Sequence, residues 1–225
     1  MRTIGMLVAV EMGAVLERYG TARSVEQRCG FAVHCYDMDG YRLCVVHSGA
    51  GEIAAAAATA LLLDRYEAGL IVNFGVVGGL TPEMAQTKTC VVEKVVHYDF
   101  DTSAYDGTKP GQYSEFEDEF IPLDTSLVDK AAAIDPTLKR VICASGDKFV
   151  DAPEAKTALH ERFGAEICEM EAAAVALTCR RAGVPCLLIK TVSDGLLGGA
   201  EEFGAALEKT SAQALAVADA IIREL

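Results

Sequence analysis

The chain has 225 residues, 51% of them hydrophobic, and a formal net charge of −13 from 33 acidic and 20 basic residues. That length and apolar share suit one large α/β domain with a substantial core. The negative balance argues against nucleic acid and anionic membranes as partners.

In chain order, Ile4 to Val10 reads as a buried strand and Glu11 to Tyr19 as a short helix. Phe31 to Met38 and Tyr41 to His47 are strands joined by Asp39-Gly40, a hairpin turn signal. Ser48-Gly49-Ala50-Gly51 opens an Ala-rich helix from Glu52 to Tyr66. Leu70 to Phe74 is a further buried strand, followed by a glycine loop, Gly75-Val76-Val77-Gly78-Gly79. Thr89 to Val96 has strand composition. Residues 99–120 are rich in Asp, Tyr, Gly and Ser without a period, as in a functional or mobile loop.

A helix follows over Ser126 to Ile134, then a strand over Arg140 to Ser145. Pro153 to Arg162 fits a helix with Pro in its first turn. Glu166 to Cys168 is a short strand, and Met170 to Ala182 is a helix closed by Gly183 and Pro185. Cys186 to Thr191 is the last central strand, and Glu201 to Leu225 is a terminal helix. This alternation predicts an α/β fold, a single-domain three-layer α/β/α sandwich spanning residues 1–225. The Asp39-Gly40 hairpin makes the sheet mixed.

The N-terminal residues lack the pattern of a signal peptide, and no apolar run is long enough to span a bilayer, so a cytoplasmic location is expected. The eight cysteines include no pair separated by two residues and read as free thiols. The four histidines form no H-x-x-x-H pattern, so neither a metal nor a cofactor is expected.

Chemistry concentrates near the C-terminal ends of strands, where open α/β sheets bind ligands. Glu169-Met170-Glu171 puts two carboxylates at the start of an Ala-rich helix, and Ser193-Asp194 follows the last central strand. An acid at a strand end and a carboxylate that accepts hydroxyl hydrogen bonds together suit a sugar-plus-base ligand. Gly75 to Gly79 has neither the dinucleotide spacing nor a following Gly-Lys-Ser/Thr, so by itself it is either a tight turn or a site.

The set Ser48-Gly49-x-Gly51, Asn73-x-Gly75-x-x-Gly78-Gly79, Ser145-Gly146-Asp147-x-Phe149, Glu169-Met170-Glu171-Ala172 and Ser193-Asp194 resembles the nucleoside phosphorylase/nucleosidase family. The likeness is closest to the 5′-methylthioadenosine/S-adenosylhomocysteine nucleosidases. It implies hydrolysis of the N-glycosidic bond of a purine nucleoside, with phosphorolysis or plain nucleoside binding as the alternatives. It also implies a homodimer, for which the apolar helix from Ile53 to Leu63 offers a surface, and a place in methionine salvage.

The resemblance assigns Asp194 as proton donor to purine N7, held by Ser193. Glu171 then binds the ribose hydroxyls, with Met170 beneath the sugar and Glu169 beside them. Phe149 stacks on the base, Val150 reads its edge, and Val77, Gly78 and Phe203 line the pocket. One half of the match departs from the family: Gly13 stands where a nucleosidase carries the Glu that orients water. Glu11 either takes that role or caps the first helix. Val76 replaces a small hydroxyl residue and Lys190 an arginine, while Asn73 stands where some phosphorylases place an arginine. Arg28 and His47 are the remaining candidates for holding phosphate.

Overall fold

The structure is a computed structural model that describes residues 2–225. Its first half contains β1 (Arg2–Val8), α1 (Met12–Tyr19), β2 (Ser24–Arg28), β3 (Phe31–Asp37), β4 (Tyr41–His47), α2 (Glu52–Arg65), β5 (Leu70–Gly79) and β6 (Thr89–His97). The second half contains α3 (Ser103–Asp106), β7 (Ile121–Pro122), α4 (Thr125–Ile134), β8 (Lys139–Ser145) and α5 (Pro153–Phe163). It ends with β9 (Ile167–Glu169), α6 (Ala172–Ala182), β10 (Cys186–Asp194) and α7 (Ala200–Glu224).

The strands form one mixed sheet. β1 pairs in parallel with β4 and β5, β5 with β10, and β8 with both β6 and β9. The β2–β3–β4 run is antiparallel, as the Asp39-Gly40 turn requires. β10 also pairs antiparallel with β6, and β9 with β5. Strands β10, β6, β8, β9 and β5 therefore close into a ring, where the sequence suggests an open sheet.

The central strands are apolar on both faces, because helices cover both. Along β1, Leu7 joins a cluster with Ala55, Ala58 and Leu62 of α2 and Ala172 to Ala176 of α6. Its neighbours Ile4, Met6 and Val8 join Ala214, Leu215, Ala218, Ile221 and Ile222 of α7 instead. Alternate side chains of a strand point to opposite faces, so one strand feeds both clusters.

Three expectations change. The stretch from Gly75 to Gly79 is not a loop but the end of β5. Its Val76 and Val77 pair with Thr191 and Val192 of β10, and Gly78 and Gly79 with Cys168 and Ile167 of β9. Glycine serves here for close approach. A Cβ on Gly79 would run into the Met84 carbonyl oxygen. β2 was not expected, because Ser24-Val25-Glu26-Gln27-Arg28 is a polar edge strand without an apolar stripe. Residues 99–120 carry α3 and an ordered aromatic stack, with the Phe100 and Tyr113 rings 4.1 Å apart and inclined by 8°.

Gly79→Ala is expected to cost about 1–3 kcal/mol by forcing the Met84 backbone aside. Its urea midpoint should fall; a midpoint equal to that of the parent would mean the 79–84 turn gives way freely.

Candidate active site

Ten of the residues singled out from the sequence border one cleft. They are Glu11, Val77, Gly78, Phe149, Val150, Glu169, Met170, Glu171, Asp194 and Phe203. Ala9, Val10, Ala50, Val76, Lys148 and Cys168 complete the lining. The cleft has about 650 Å3 of empty space including its open mouth. Ser193 stands behind it, its hydroxyl 2.8 Å from Asp194 Oδ1 and 3.2 Å from the Val77 carbonyl.

Asp194 ends β10 and is only 2% exposed. Its Oδ2 accepts a hydrogen bond of 2.6 Å from Lys156 Nζ, a side chain that reaches in from α5. Lys156 is fully buried and was not picked out from the sequence, where a lysine in a polar helix looks like a surface residue.

Glu11 sits just before α1 yet makes no side-chain cap to it. Its carboxylate instead accepts the Val10 N–H at 2.9 Å and the Val76 N–H at 3.0 Å, with 5% exposure. The capping alternative is therefore not what the side chain does. A Cβ on Gly75 would lie 2.6 Å from Glu11 Oε1, so glycine at 75 makes room for this carboxylate. Gly13 is exposed and does not border the cleft.

The first turn of α6 meets a set of buried acids. Glu169 accepts from the Glu171 and Ala172 amides at 3.0–3.1 Å. Ser145 Oγ accepts the Ala173 amide, and Glu52 Oε2 accepts the Ala174 amide at 2.6 Å. Glu171 accepts the Gly51 amide at 2.8 Å, next to the start of α2. Glu169 thus borders the cleft while its carboxylate is occupied within the protein. Every amide that a helix start leaves open is taken by a side chain.

Lys190 is the buried cation of this set. Its ammonium donates to Glu169 Oε2 at 3.0 Å and to Asn73 Oδ1 at 2.6 Å. Burial works against the charge of Glu169, but Lys190 and the Ala172 amide hold its carboxyl below the ordinary carboxylate value. Burial, and then the Glu169 charge, push the Glu171 carboxyl up to about 8. The same causes push Glu52 up to about 8. At neutral pH Glu171 is thus largely a carboxylic acid, able both to donate to and to accept from a hydroxyl.

Phe149 and Phe203 meet edge to face at the cleft, with ring centroids 5.4 Å apart and planes inclined by 79°. Phe149 is 41% exposed, so its apolar face is free for a planar ligand. Arg28 is paired with Glu26, and neither it nor His47 borders the cleft.

An acid-lined cleft built from the ends of strands in a mixed α/β sheet matches a known class. The family model described as the phosphorylase superfamily covers residues 3–223. A 5′-methylthioadenosine/S-adenosylhomocysteine nucleosidase of Tolumonas auensis is 30% identical over 198 residues, 84% of each chain. A Helicobacter pylori nucleosidase of that name, solved with an aminopyrrolopyrimidine–pyrrolidinol compound carrying an alkynylthio group, superposes with a TM-score of 0.93. It is 28% identical and covers 100% of this chain and 99% of its own. A mutant futalosine hydrolase structure from the same organism gives a TM-score of 0.94 at 28% identity, covering 100% of both chains. The chain belongs to the phosphorylase superfamily and, within it, to the family of these nucleosidases.

Glu52 and Glu171 keep their protons to higher pH in the folded chain than the ordinary value of 4.5. Their contribution to stability is complete below pH 4.5 and is lost as pH rises through about 8. The unfolding temperature should therefore drop across that interval, and drop less in Glu171→Gln. Parallel curves for the two proteins would contradict the assignment.

Proposed function

We propose that the protein hydrolyses the N-glycosidic bond of a purine nucleoside, with 5′-methylthioadenosine or S-adenosylhomocysteine as substrate. The observation that carries this reading is the pairing of Glu11 and Asp194 in one cleft, where carboxylates already take the Val76 amide and the neighbouring Gly51 amide. Phosphate needs free N–H donors or arginines. The cleft lining contains no arginine, and Lys148 is its one cation among the described residues. With the Val76 amide taken by Glu11 and no arginine in the lining, a neutral nucleophile suits the cleft, so water is preferred to phosphate.

In this reading Asp194 passes a proton to N7 of the purine as the C–N bond breaks. The sugar becomes oxocarbenium-like, and the nearby acids stabilise its charge. Water adds to the anomeric carbon and gives its proton to Glu11. Glu171 binds the ribose hydroxyls, and Met170 packs beneath the ring. Phe149 stacks on the base, the Val150 backbone meets its edge, and Val77, Gly78 and Phe203 close the walls. Ser193 orients Asp194 from behind, and Glu169 holds the head of α6 in place.

The same reading takes the chain as one domain, a three-layer α/β/α sandwich acting in the cytoplasm. It also takes the protein as a homodimer. One face of α2 is buried, with α6 among its neighbours, while Ile53, Ala57 and Ala60 stay exposed on another side, with Ile53 at 84%. That row supports association with a second copy. A concentration-independent monomer mass by light scattering would refute it.

Free base is the readout for the reaction, with methylthioadenosine, S-adenosylhomocysteine, adenosine, inosine and futalosine each incubated with and without phosphate. Release without phosphate is the expected result; a strict phosphate requirement would overturn hydrolysis. Asp194→Asn should lower the rate by about 10²–10⁴-fold while sparing the fold. Glu11→Gln should lose hydrolysis yet keep nucleoside affinity, because positioning water acts mainly in the transition state. An unchanged rate in either variant removes that residue from the mechanism. A Cβ at Gly13 meets nothing within 4 Å among the described residues, so Gly13→Glu tests whether a second acid there adds activity.

A further inference from the structure

We infer that Lys156 is a positioning residue for the reaction, acting through Asp194 and the loop that follows it; this rests on the catalytic reading of Asp194 given above. Lys156 is fully buried, unusual for a lysine, and its ammonium has three donors. All three have partners: Asp194 Oδ2 at 2.6 Å, the Gly195 carbonyl at 2.7 Å and the Gly198 carbonyl at 2.9 Å. No donor is left over for a substrate, so the side chain works on the protein.

The arrangement confines the Asp194 carboxyl from both oxygens, Ser193 on Oδ1 and Lys156 on Oδ2. The carboxyl cannot rotate without breaking one of these bonds. Close packing narrows it further. A Cβ on Gly78 would lie 3.3 Å from Asp194 Oδ2 and 3.6 Å from Lys156 Cε, so glycine lets the lysine stem and the acid share this space.

The two carbonyl bonds extend the effect to the 195–198 segment, which leads into α7. Glu202 accepts the Gly195 amide at 2.9 Å, and Asp151 accepts the Ala200 amide at 2.7 Å. The first turn of α7 carries Phe203, which borders the cleft. One ammonium thus registers the acid with the loop next to the wall of the pocket. A proton donor must lie within hydrogen-bond reach of its acceptor, and small misplacements are costly in rate.

The test is a double-mutant cycle on hydrolysis of methylthioadenosine. Lys156→Met should lower kcat by about 10–100-fold and move KM by less than about threefold, the split expected when an interaction matters in the transition state. In the Asp194→Asn background the same change should lower the residual rate no further, because the group it positions is gone. Lys156→Gln keeps two N–H donors and should recover part of the rate; it takes the place of the Met variant in the cycle if that variant does not fold. An equal fractional loss in both backgrounds, an unchanged kcat, or a loss confined to KM would overturn the inference while leaving Asp194 as the acid. A fully active Asp194→Asn would instead overturn the catalytic reading itself.

Discussion

The head of α6 holds more buried charge than any neighbouring part of the fold, and the site is arranged around it. Glu52, Glu169 and Glu171 lie out of water with Lys190 as their buried cation. Isolated charges there would be very costly; they persist because each is paired, protonated or hydrogen-bonded. Glu169 takes the first two amides of the helix and the Lys190 ammonium. Glu52 and Glu171 cross between α2 and α6, each accepting an amide at the start of the other segment. The two helix starts are therefore registered against each other, and the wall of the cleft at Met170 and Glu171 inherits that register.

This set also decides which nucleophile suits the cleft. Glycine-rich turns and helix starts commonly bind phosphate through open N–H groups. Here the Val76 amide belongs to Glu11, the Gly51 amide to Glu171, and the first amides of α6 to Glu169, Ser145 and Glu52. The same glycines that look like a phosphate cradle instead admit carboxylates and neighbouring backbone. Gly75 leaves space for Glu11, and Gly78 for Asp194 and Lys156.

Much of this was legible in the chain. The continuous apolar runs of β5 and β10 announce strands covered on both faces, and Asp39-Gly40 announces the antiparallel hairpin. The motifs around Phe149, Glu171 and Asp194 marked the residues that border the cleft. Glu11 was harder, because a residue before a helix is most often a cap. One of its bonds goes to β5, far along the chain, and no local pattern reports that. Glu169 borders the cleft beside Glu171, as their spacing suggests, but what its oxygens touch, the helix amides and Lys190, has no local signal.

The sequence by itself determined the order of most strands and helices, the mixed character of the sheet and the residue types needed for acid and sugar chemistry. These follow from local periodicity and turn chemistry, which act over a few residues. The tertiary structure decided what those residues touch. Closing β10 onto both β5 and β6 makes a ring that local pattern does not encode. Only that closure and the packing of α5 bring Lys156 to Asp194, 38 positions apart, and only β1 lying beside β5 brings Glu11 to Val76, 65 apart. Partners at such separations meet through the fold as a whole, so the chain supplies the groups and the packing assigns their roles.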